Sequence, residues 1–251
     1  MAELKLPTEI VSLPSKGLLY PKESPLAKGE IEMKYMTAKE EDILTNSNFI
    51  KQGTVIDKLL QALIVTPINY DDLLIGDKNA ILIAARVLGY GQNYTFKYSN
   101  ERGQEIETSI DLSTLNEKEI DIAVYKDGNN FSFSLPKSGN TVTFKLLTHG
   151  DEKKIEQEIK GLQKINPNGS FDVTTRLKYM ITSINGDSEI KSIREFVDTY
   201  LLAPDARALR EYYAKVQPDI DLKFMPEDES YTGEGITIPI TLNFFWPDSN
   251  I

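Results

Sequence analysis

The stretch EIEMKYMTAKEEDIL (residues 30–44) and its counterpart TVTFKLLTHGDEKKI (residues 141–155) decide the fold. Each begins with three alternating apolar residues, which is typical of a strand with one buried face. A threonine then follows that can cap a helix, helped by an acidic residue three positions later. Four pairs of residues are each separated by 111 positions: Ile31 and Val142, Met33 and Phe144, Tyr35 and Leu146, Thr37 and Thr148.

The correspondence extends on both sides of these stretches. LPSKG at 13–17 returns as LPKSG at 135–139. Further along, Asp77 matches Asp205, Ala80 matches Ala208 and Ile110 matches Ile238, now at an offset of 128. The change of offset indicates an insertion in the second half that includes the turn-forming INPNGS at 165–170. We therefore predict an internal duplication; the alternative is that two ordinary segments share common helix starts by accident.

The fold class predicted from these patterns is α+β, built from two related repeats that each contain an opening strand or extended segment, a small helical bundle and a β-hairpin. The predicted organisation is an extended N-terminal arm (1–29), repeat 1 (30–115), a connection (116–130) and repeat 2 (131–251). Apolar periodicity predicts helices near 38–51, 54–65, 78–89, 149–164, 171–184, 189–202 and 206–216. Thr54 and Asp57 are predicted to form another capping box. Period-two alternation predicts hairpins at 94–112 and 220–244.

Composition limits the possible functions. The net charge of −10 and the pI near 4.8 disfavour nucleic acid as a partner. No apolar run is long enough to span a membrane, and the N-terminus has no secretory signal pattern. The chain has no cysteine, so it forms neither a disulfide nor a thiolate metal site, which favours a cytoplasmic compartment.

No catalytic residues are predicted. The single histidine, His149, follows the helix-opening Thr148 and is interpreted as a surface or capping-turn residue. A site with several histidine ligands is impossible, and no glycine-rich phosphate loop is present. A hydrolase that uses two of the many carboxylates stays open as a remote alternative.

Two segments are candidate contacts for a protein partner. In the N-terminal arm these are Leu13, Pro14, Gly17 and Tyr20, within an irregular stretch rich in proline and glycine. At the C-terminus they are Phe244, Phe245, Trp246 and Pro247, because three consecutive large aromatic residues cannot all face one side of a strand. The alternative for the aromatic residues is that they hold the terminus on the protein's own core.

Several short motifs, taken in their order along the chain, resemble those of a known family. The family is that of the baseplate hub and hub-assembly proteins of T-even-type contractile-tail bacteriophages. The motifs are LPSKGLLYP, MTAKEEDIL and DLLIGDKNAILIAARVLGYGQNY, followed by LPKSG, DARALREYY and FFWPD. The resemblance implies a role in building the baseplate hub. It also implies hairpins like small zinc ribbons, in which relatives carry Cys-x-x-Cys pairs. The corresponding turns here, YSNERGQE and FMPEDESYTGEG, have no cysteine, so zinc is not carried over and no cofactor is expected.

Three functions are compatible with this resemblance. The first is a non-enzymatic assembly factor that binds hub or tape-measure proteins in the host cytoplasm. The second is a permanent subunit of the virion baseplate hub, and the remote third is a carboxylate-dependent cell-wall hydrolase. Neither nucleic acid nor a membrane is an expected partner, and self-association is left open.

Overall fold

The computed structural model describes residues 6–100, 103–226, 235–240 and 242–245, and it confirms a mixed α+β fold. The helices are α1 (Ala38–Leu44), α2 (Ser47–Gln52), α3 (Val55–Leu63), α4 (Ile75–Tyr90), α5 (His149–Ile165), α6 (Asp172–Met180), α7 (Ile190–Glu195) and α8 (Ala203–Val216). The strands are β1 (Thr8–Ser12), β2 (Glu30–Lys34), β3 (Asn93–Ser99), β4 (Glu105–Asp111), β5 (Phe131–Ser134), β6 (Thr141–Phe144), β7 (Ile181–Ile184), β8 (Lys223–Phe224) and β9 (Ile236–Thr237).

In the part of the chain that the structure describes, the strands form four small antiparallel sheets. β1 pairs with β2, β3 with β4, and β8 with β9, while β5, β6 and β7 form a three-stranded sheet in that order. The first predicted hairpin is confirmed as β3 and β4, with Tyr94 opposite Ile110. For the second predicted hairpin, two residue pairs join β8 to β9 among the described residues, and 227–234 and 241 lie outside them.

All three helix starts predicted at a threonine are confirmed, whereas the predicted capping box is confirmed at two of them and wrong at the third. The Glu40 carboxylate accepts the Thr37 N–H at 3.0 Å, and Asp151 Oδ2 accepts the Thr148 N–H at 3.2 Å. At the start of α3, however, the buried Thr54 hydroxyl has no hydrogen-bond partner among the described residues. Asp57 is not available to Thr54 because it binds Tyr70 and a lysine of α4 instead.

Two predicted helices differ in the structure. The segment predicted at 38–51 is split into α1 and α2, because the Asn46 side chain caps a new helix by accepting the N–H of Asn48 and of Phe49. The segment predicted at 171–184 ends as α6, and its last four residues become β7. These residues are β-branched or small, and the open edge of β6 offers them backbone partners.

The N-terminal segment predicted as an extended arm is part of the fold over its described residues. It contributes β1 and a short 3-10 helix at Pro25–Lys28, and it returns to β2. Leu13 and Leu26 are fully buried. The many prolines and glycines of this segment therefore form a compact loop between two strands.

Among the described residues, two hydrophobic cores are present, and each includes residues from the other half of the sequence. The first core combines β1–β4 and α1–α4 with Ile238, Phe244 and Phe245 from the C-terminal segment. The second combines β5–β7 and α5–α8 with Leu19 and Leu74. The predicted boundary of repeat 2 at 131–251 thus includes residues that pack in the first core, and the domain division itself stays a prediction.

Backbone contacts join the two halves at the start of α4. The Ile75 N–H donates to the Leu147 carbonyl at 3.3 Å, and the His149 N–H donates to the Leu73 carbonyl at 2.7 Å. Gly76 lies so close to the chain after α8 that a Cβ there would overlap the Pro218 carbonyl. These contacts hold the first turns of α4 and α5 side by side.

Candidate functional site

The predicted N-terminal contact residues lie in the tight loop between β1 and β2. Leu13, Pro14 and Gly17 are buried, and Tyr20 is half-buried. Gly17 has a φ of 75°, which glycine adopts without strain. The first three residues therefore offer little surface to a partner in the folded chain, and their role in partner binding stays a prediction.

Asp77, in the first turn of α4, holds this loop in place. Its Oδ1 accepts the Ser15 N–H at 2.9 Å, and its Oδ2 accepts the Ser15 hydroxyl at 2.7 Å and the Tyr20 hydroxyl at 2.6 Å. Burial raises the pKa of Asp77, although these hydrogen bonds oppose the shift. Burial and the neighbouring carboxylate also raise the pKa of Tyr20. The phenol therefore stays protonated and donates a hydrogen bond to Asp77.

Asp205 makes the same kind of contact in the second half. It lies in the first turn of α8, 128 positions after Asp77, and binds the LPKSG loop. Its Oδ1 accepts the Lys137 N–H at 2.7 Å and its Oδ2 accepts the Ser138 N–H at 3.0 Å. Burial acts to raise the pKa of Asp205, but these hydrogen bonds outweigh it and the pKa is lowered. Sequence matching found both aspartates and both loops, but it did not show that they bind each other.

A groove of about 490 Å³ lies beside Tyr20, where the two halves meet. Its lining is mixed apolar and polar, and Asp72 is its single acidic side chain among the described residues. This composition suits binding of a partner side chain better than acid–base chemistry. The lining includes Leu19, Tyr20, Pro21, Leu74, Asn129 and Thr148.

His149 is buried at the junction of the halves, so its interpretation as a surface residue is wrong. Its Nδ1 lies 3.2 Å from Lys78 Nζ, and its Nε2 lies 3.5 Å from Asp57 Oδ2. Its ring meets Tyr70 edge to face, with centroids 4.7 Å apart. Burial and the Lys78 charge lower the pKa of His149, so the imidazole is neutral at pH 7. Local spacing could not reveal this cluster, because its four members come from four separate elements.

A second groove, of about 350 Å³, contains two carboxylates and therefore bears on the hydrolase alternative. Glu152 and Asp172 both bind the same guanidinium, with Arg176 Nη1 2.5 Å from Glu152 and Nε 3.0 Å from Asp172. Each acid would have to break this ion pair before it could act on a substrate. The arrangement explains the two carboxylates as structural partners of Arg176.

The C-terminal aromatic residues divide into buried and undescribed ones. Phe244 and Phe245 are fully buried in the first core, and the Phe244 ring packs edge to face on Tyr94 at 4.8 Å. Their burial is the arrangement expected if the aromatic residues hold the terminus on the protein's own core. Trp246 and Pro247 lie outside the described residues.

The residues present do not fit zinc. Across the described ranges, no group of three or more histidine, cysteine or acidic side chains is arranged to hold a metal ion. The turn between β3 and β4 is closed instead by hydrogen bonds, including the Gln104 N–H to Asn100 Oδ1 at 2.9 Å. The hairpin is therefore held by its strands and by aromatic packing against the C-terminal segment.

None of the helices in the described part of the chain has the length and apolar character needed to cross a membrane.

Comparison with known proteins identifies the family. Residues 10–201 match the model of a family described as T4 bacteriophage base plate protein. No curated protein and no solved structure matches the chain. The matched range begins within β1 and ends just after a π-helix (Phe196–Tyr200) that continues α7. It therefore includes Asp77 with the loop that it binds, and His149 with its neighbours. Because this range covers more than half of the chain, the protein belongs to the T4 bacteriophage base plate protein family.

Proposed function

We propose that this protein is a non-enzymatic assembly factor of the baseplate hub, which binds hub or tape-measure proteins in the host cytoplasm and leaves before the tail is complete. The observation that carries the proposal is the family match over residues 10–201, since baseplate membership implies binding to other baseplate proteins. The resemblance to hub-assembly proteins narrows this general role to the hub.

The surface of the protein supports transient binding. The net charge of −10 opposes self-association, and apolar side chains are exposed on separate elements. Ile10 on β1 is 59% exposed, and Ile190 at the start of α7 is 73% exposed. Small, separate apolar sites of this kind suit transient binding better than they suit a permanent interface, which needs a larger apolar area.

The arrangement of titratable groups supports a non-enzymatic role. His149 is enclosed by Tyr70, Lys78 and Asp57, and the paired carboxylates of the second groove are bound by Arg176. In both places, the polar groups satisfy one another and connect elements of the fold. This is the pattern expected of structural networks.

The alternative is a permanent subunit of the virion hub. Stable incorporation would require an interface on the order of 2,000 Å² or more, with a larger apolar share. Quantitative mass spectrometry of purified phage beside isolated baseplate intermediates separates the two functions. We expect the protein in intermediates and not in virions; a fixed stoichiometry in both would establish the permanent subunit instead.

The C-terminal contact can be tested with Trp246→Ala. We expect weaker capture of hub or tape-measure proteins with an unchanged unfolding midpoint. Phe245→Ala is the matched comparison: because Phe245 is fully buried, its loss should cost about 3–5 kcal/mol of stability. Normal capture combined with a large loss of stability in Trp246→Ala would assign the indole to the core and remove it from the contact.

We also infer that the two halves descend from one duplicated unit. The support is the shared order of strand, threonine cap and helix, together with the two aspartates that bind equivalent loops. The bridge between Met33 and Ile64 also occupies the place of the Phe144–Ile181 pair. An experimental structure in which β1, β2 and α4 fail to superpose on β5, β6 and α8 would contradict this origin.

A further inference from the structure

We propose that the outer edge of β1 binds an extended segment of a baseplate partner, which adds to the β1–β2 sheet as a third strand. The site is argued from the structure, and the inference rests on the proposed function only for the class of partner. Strand addition of this kind obtains affinity from main-chain hydrogen bonds and specificity from alternate side chains.

The register of the sheet shows which backbone groups of β1 are free. The Leu13 N–H donates to the Gly29 carbonyl at 2.8 Å, and the Tyr35 N–H donates to the Pro7 carbonyl at 3.2 Å. In an antiparallel pair, these bonds show that the backbone N–H and C=O groups of the odd-numbered residues of β1 point toward β2. The backbone groups of the even-numbered residues point away from it. The N–H and C=O groups that face outward belong to Thr8, Ile10 and Ser12.

The two edges of this sheet are not equivalent. The outer edge of β2 is covered, since the Val65 N–H donates to the Glu32 carbonyl at 2.8 Å and the Thr66 hydroxyl accepts the Glu32 N–H at 2.7 Å. Within the described part of the chain, no backbone group pairs with the outer edge of β1. The edge of β1 therefore presents a row of hydrogen-bonding groups that a further strand could satisfy.

Ile10 distinguishes this edge from the other hairpin edges. Its side chain is 59% exposed, although a strand edge that only avoids aggregation normally carries polar or charged residues. On β3, the outward-facing residues include Thr95 and Lys97, which are exposed and polar. On β5, Ser132 and Ser134 occupy the corresponding positions. Thus an apolar anchor coincides with the open edge at β1.

The charge beside this edge indicates the chemistry of the partner strand. Ile10 lies opposite Glu32 and Ser12 lies opposite Glu30, on the same face of the sheet. Lys34, on the same face of the sheet, forms its ion pair with Glu40, and no described residue forms an ion pair with Glu30 or Glu32. A lysine or arginine placed opposite Ser12 can extend over the small serine side chain toward Glu30. We therefore infer a partner segment with an apolar residue opposite Ile10 and a basic residue two positions away, opposite Ser12.

The test uses the full-length protein and overlapping synthetic peptides (tiles) that together cover the baseplate proteins of its phage. Each peptide has about 15 residues, a length that can include one strand. We expect binding to tiles with alternating apolar residues and a lysine or arginine two positions from an apolar one. Hydrogen exchange should then slow at the amides of Thr8, Ile10 and Ser12. Binding tiles that leave these three amides unprotected, or a complete lack of binding tiles, would overturn the proposal.

Ile10→Pro is the decisive variant, because it removes an outward N–H without removing a bond to β2. We expect it to weaken peptide binding about tenfold or more. Lys97→Pro is the matched control, since it removes an outward N–H from the polar edge of β3, and it should leave affinity unchanged. Ile10→Lys keeps the backbone donor while placing a repelling charge beside a basic peptide, so it covers the case in which the proline variant does not fold.

Intact partner proteins separate this inference from the proposed function. If hub proteins bind the wild type and Ile10→Lys equally well, strand addition is wrong while the assembly role stands. If no intact hub or tape-measure protein binds, but tiles of other baseplate proteins protect the β1 amides, the edge site stands and the assembly role is wrong. Protection that appears with protein concentration alone would show that a second copy occupies the edge, and would overturn the partner proposal.

Discussion

Replacing Asp77 with alanine should lower the free energy of unfolding by about 3–5 kcal/mol. The buried carboxylate accepts three hydrogen bonds, from the Ser15 N–H, the Ser15 hydroxyl and the Tyr20 hydroxyl. A hydrogen bond to a charged group contributes about 1.5–3 kcal/mol, so the three together contribute about 4.5–9 kcal/mol. The burial that raises the pKa of Asp77 offsets part of this sum.

The substitution Asp77→Asn separates hydrogen bonding from charge. Its amide oxygen can still accept the Ser15 N–H, while its amide group faces two hydroxyls that need an acceptor. We therefore expect a smaller loss, of about 1–3 kcal/mol. Urea unfolding followed by far-ultraviolet circular dichroism measures both variants. Asp42→Ala, at an exposed position of α1, is the control and should change stability by no more than about 0.5 kcal/mol. A loss below about 1 kcal/mol in Asp77→Ala would refute the view that this carboxylate holds the loop.

Three further predictions concern stability. Because burial and a nearby lysine lower the pKa of His149, the unfolded state takes up a proton first as the pH falls. Stability should therefore be complete above about pH 6.5 and decrease below it, whereas His149→Gln should remove this dependence in urea titrations at several pH values. Gly17→Ala should cost about 3 kcal/mol or more, since its Cβ would overlap a backbone carbonyl of the same loop at a φ of 75°. Gly53→Ala, with a φ of 69° and open space, should cost only about 1 kcal/mol, and equal melting temperatures of the two variants would contradict this difference. Arg86→Lys should cost about 1–3 kcal/mol, because one ammonium cannot replace a buried guanidinium that donates to two carbonyls; Arg210→Lys, at an exposed site, is the control for thermal unfolding.

Local patterns anticipated the elements whose causes lie within a few residues. The capping boxes at Thr37 and Thr148 formed because threonine and an acid one turn later satisfy each other's backbone donors. The β3–β4 hairpin formed where period-two alternation surrounds a glycine turn. By contrast, the apolar periodicity predicted a helix over 171–184 and did not indicate β7. Ile181–Ile184 form a strand because they pair with β6, which is distant in sequence.

For the candidate contact residues as well, local sequence identified unusual positions, but only tertiary packing determined their surroundings. Sequence reasoning selected Leu13 and Phe245 as candidate contacts, yet both are buried in the first core. It also selected Gly17, which is buried in the β1–β2 loop against the backbone of Ala27. It interpreted His149 as a surface or capping-turn residue; the position at the start of α5 is confirmed, but the burial was missed because the surrounding lysine and aspartate are distant in sequence. It did not single out Ile10, because an open strand edge is a property of pairing and coverage rather than of composition.

By itself, the sequence determined the mixed α+β class, the absence of cysteine chemistry, the β3–β4 hairpin, the helix starts at Thr37 and Thr148, and a resemblance that the family match confirmed at the level of the phage baseplate. These properties depend on residue type and short spacing, which a linear chain displays directly. Only the tertiary structure decided that Asp77 and Asp205 hold their loops, that Phe244 and Phe245 enter the first core, and that no described residue pairs with the outer edge of β1. The physical reason is that burial and long-range hydrogen bonding depend on which distant segments meet, and that is fixed only when the two cores pack.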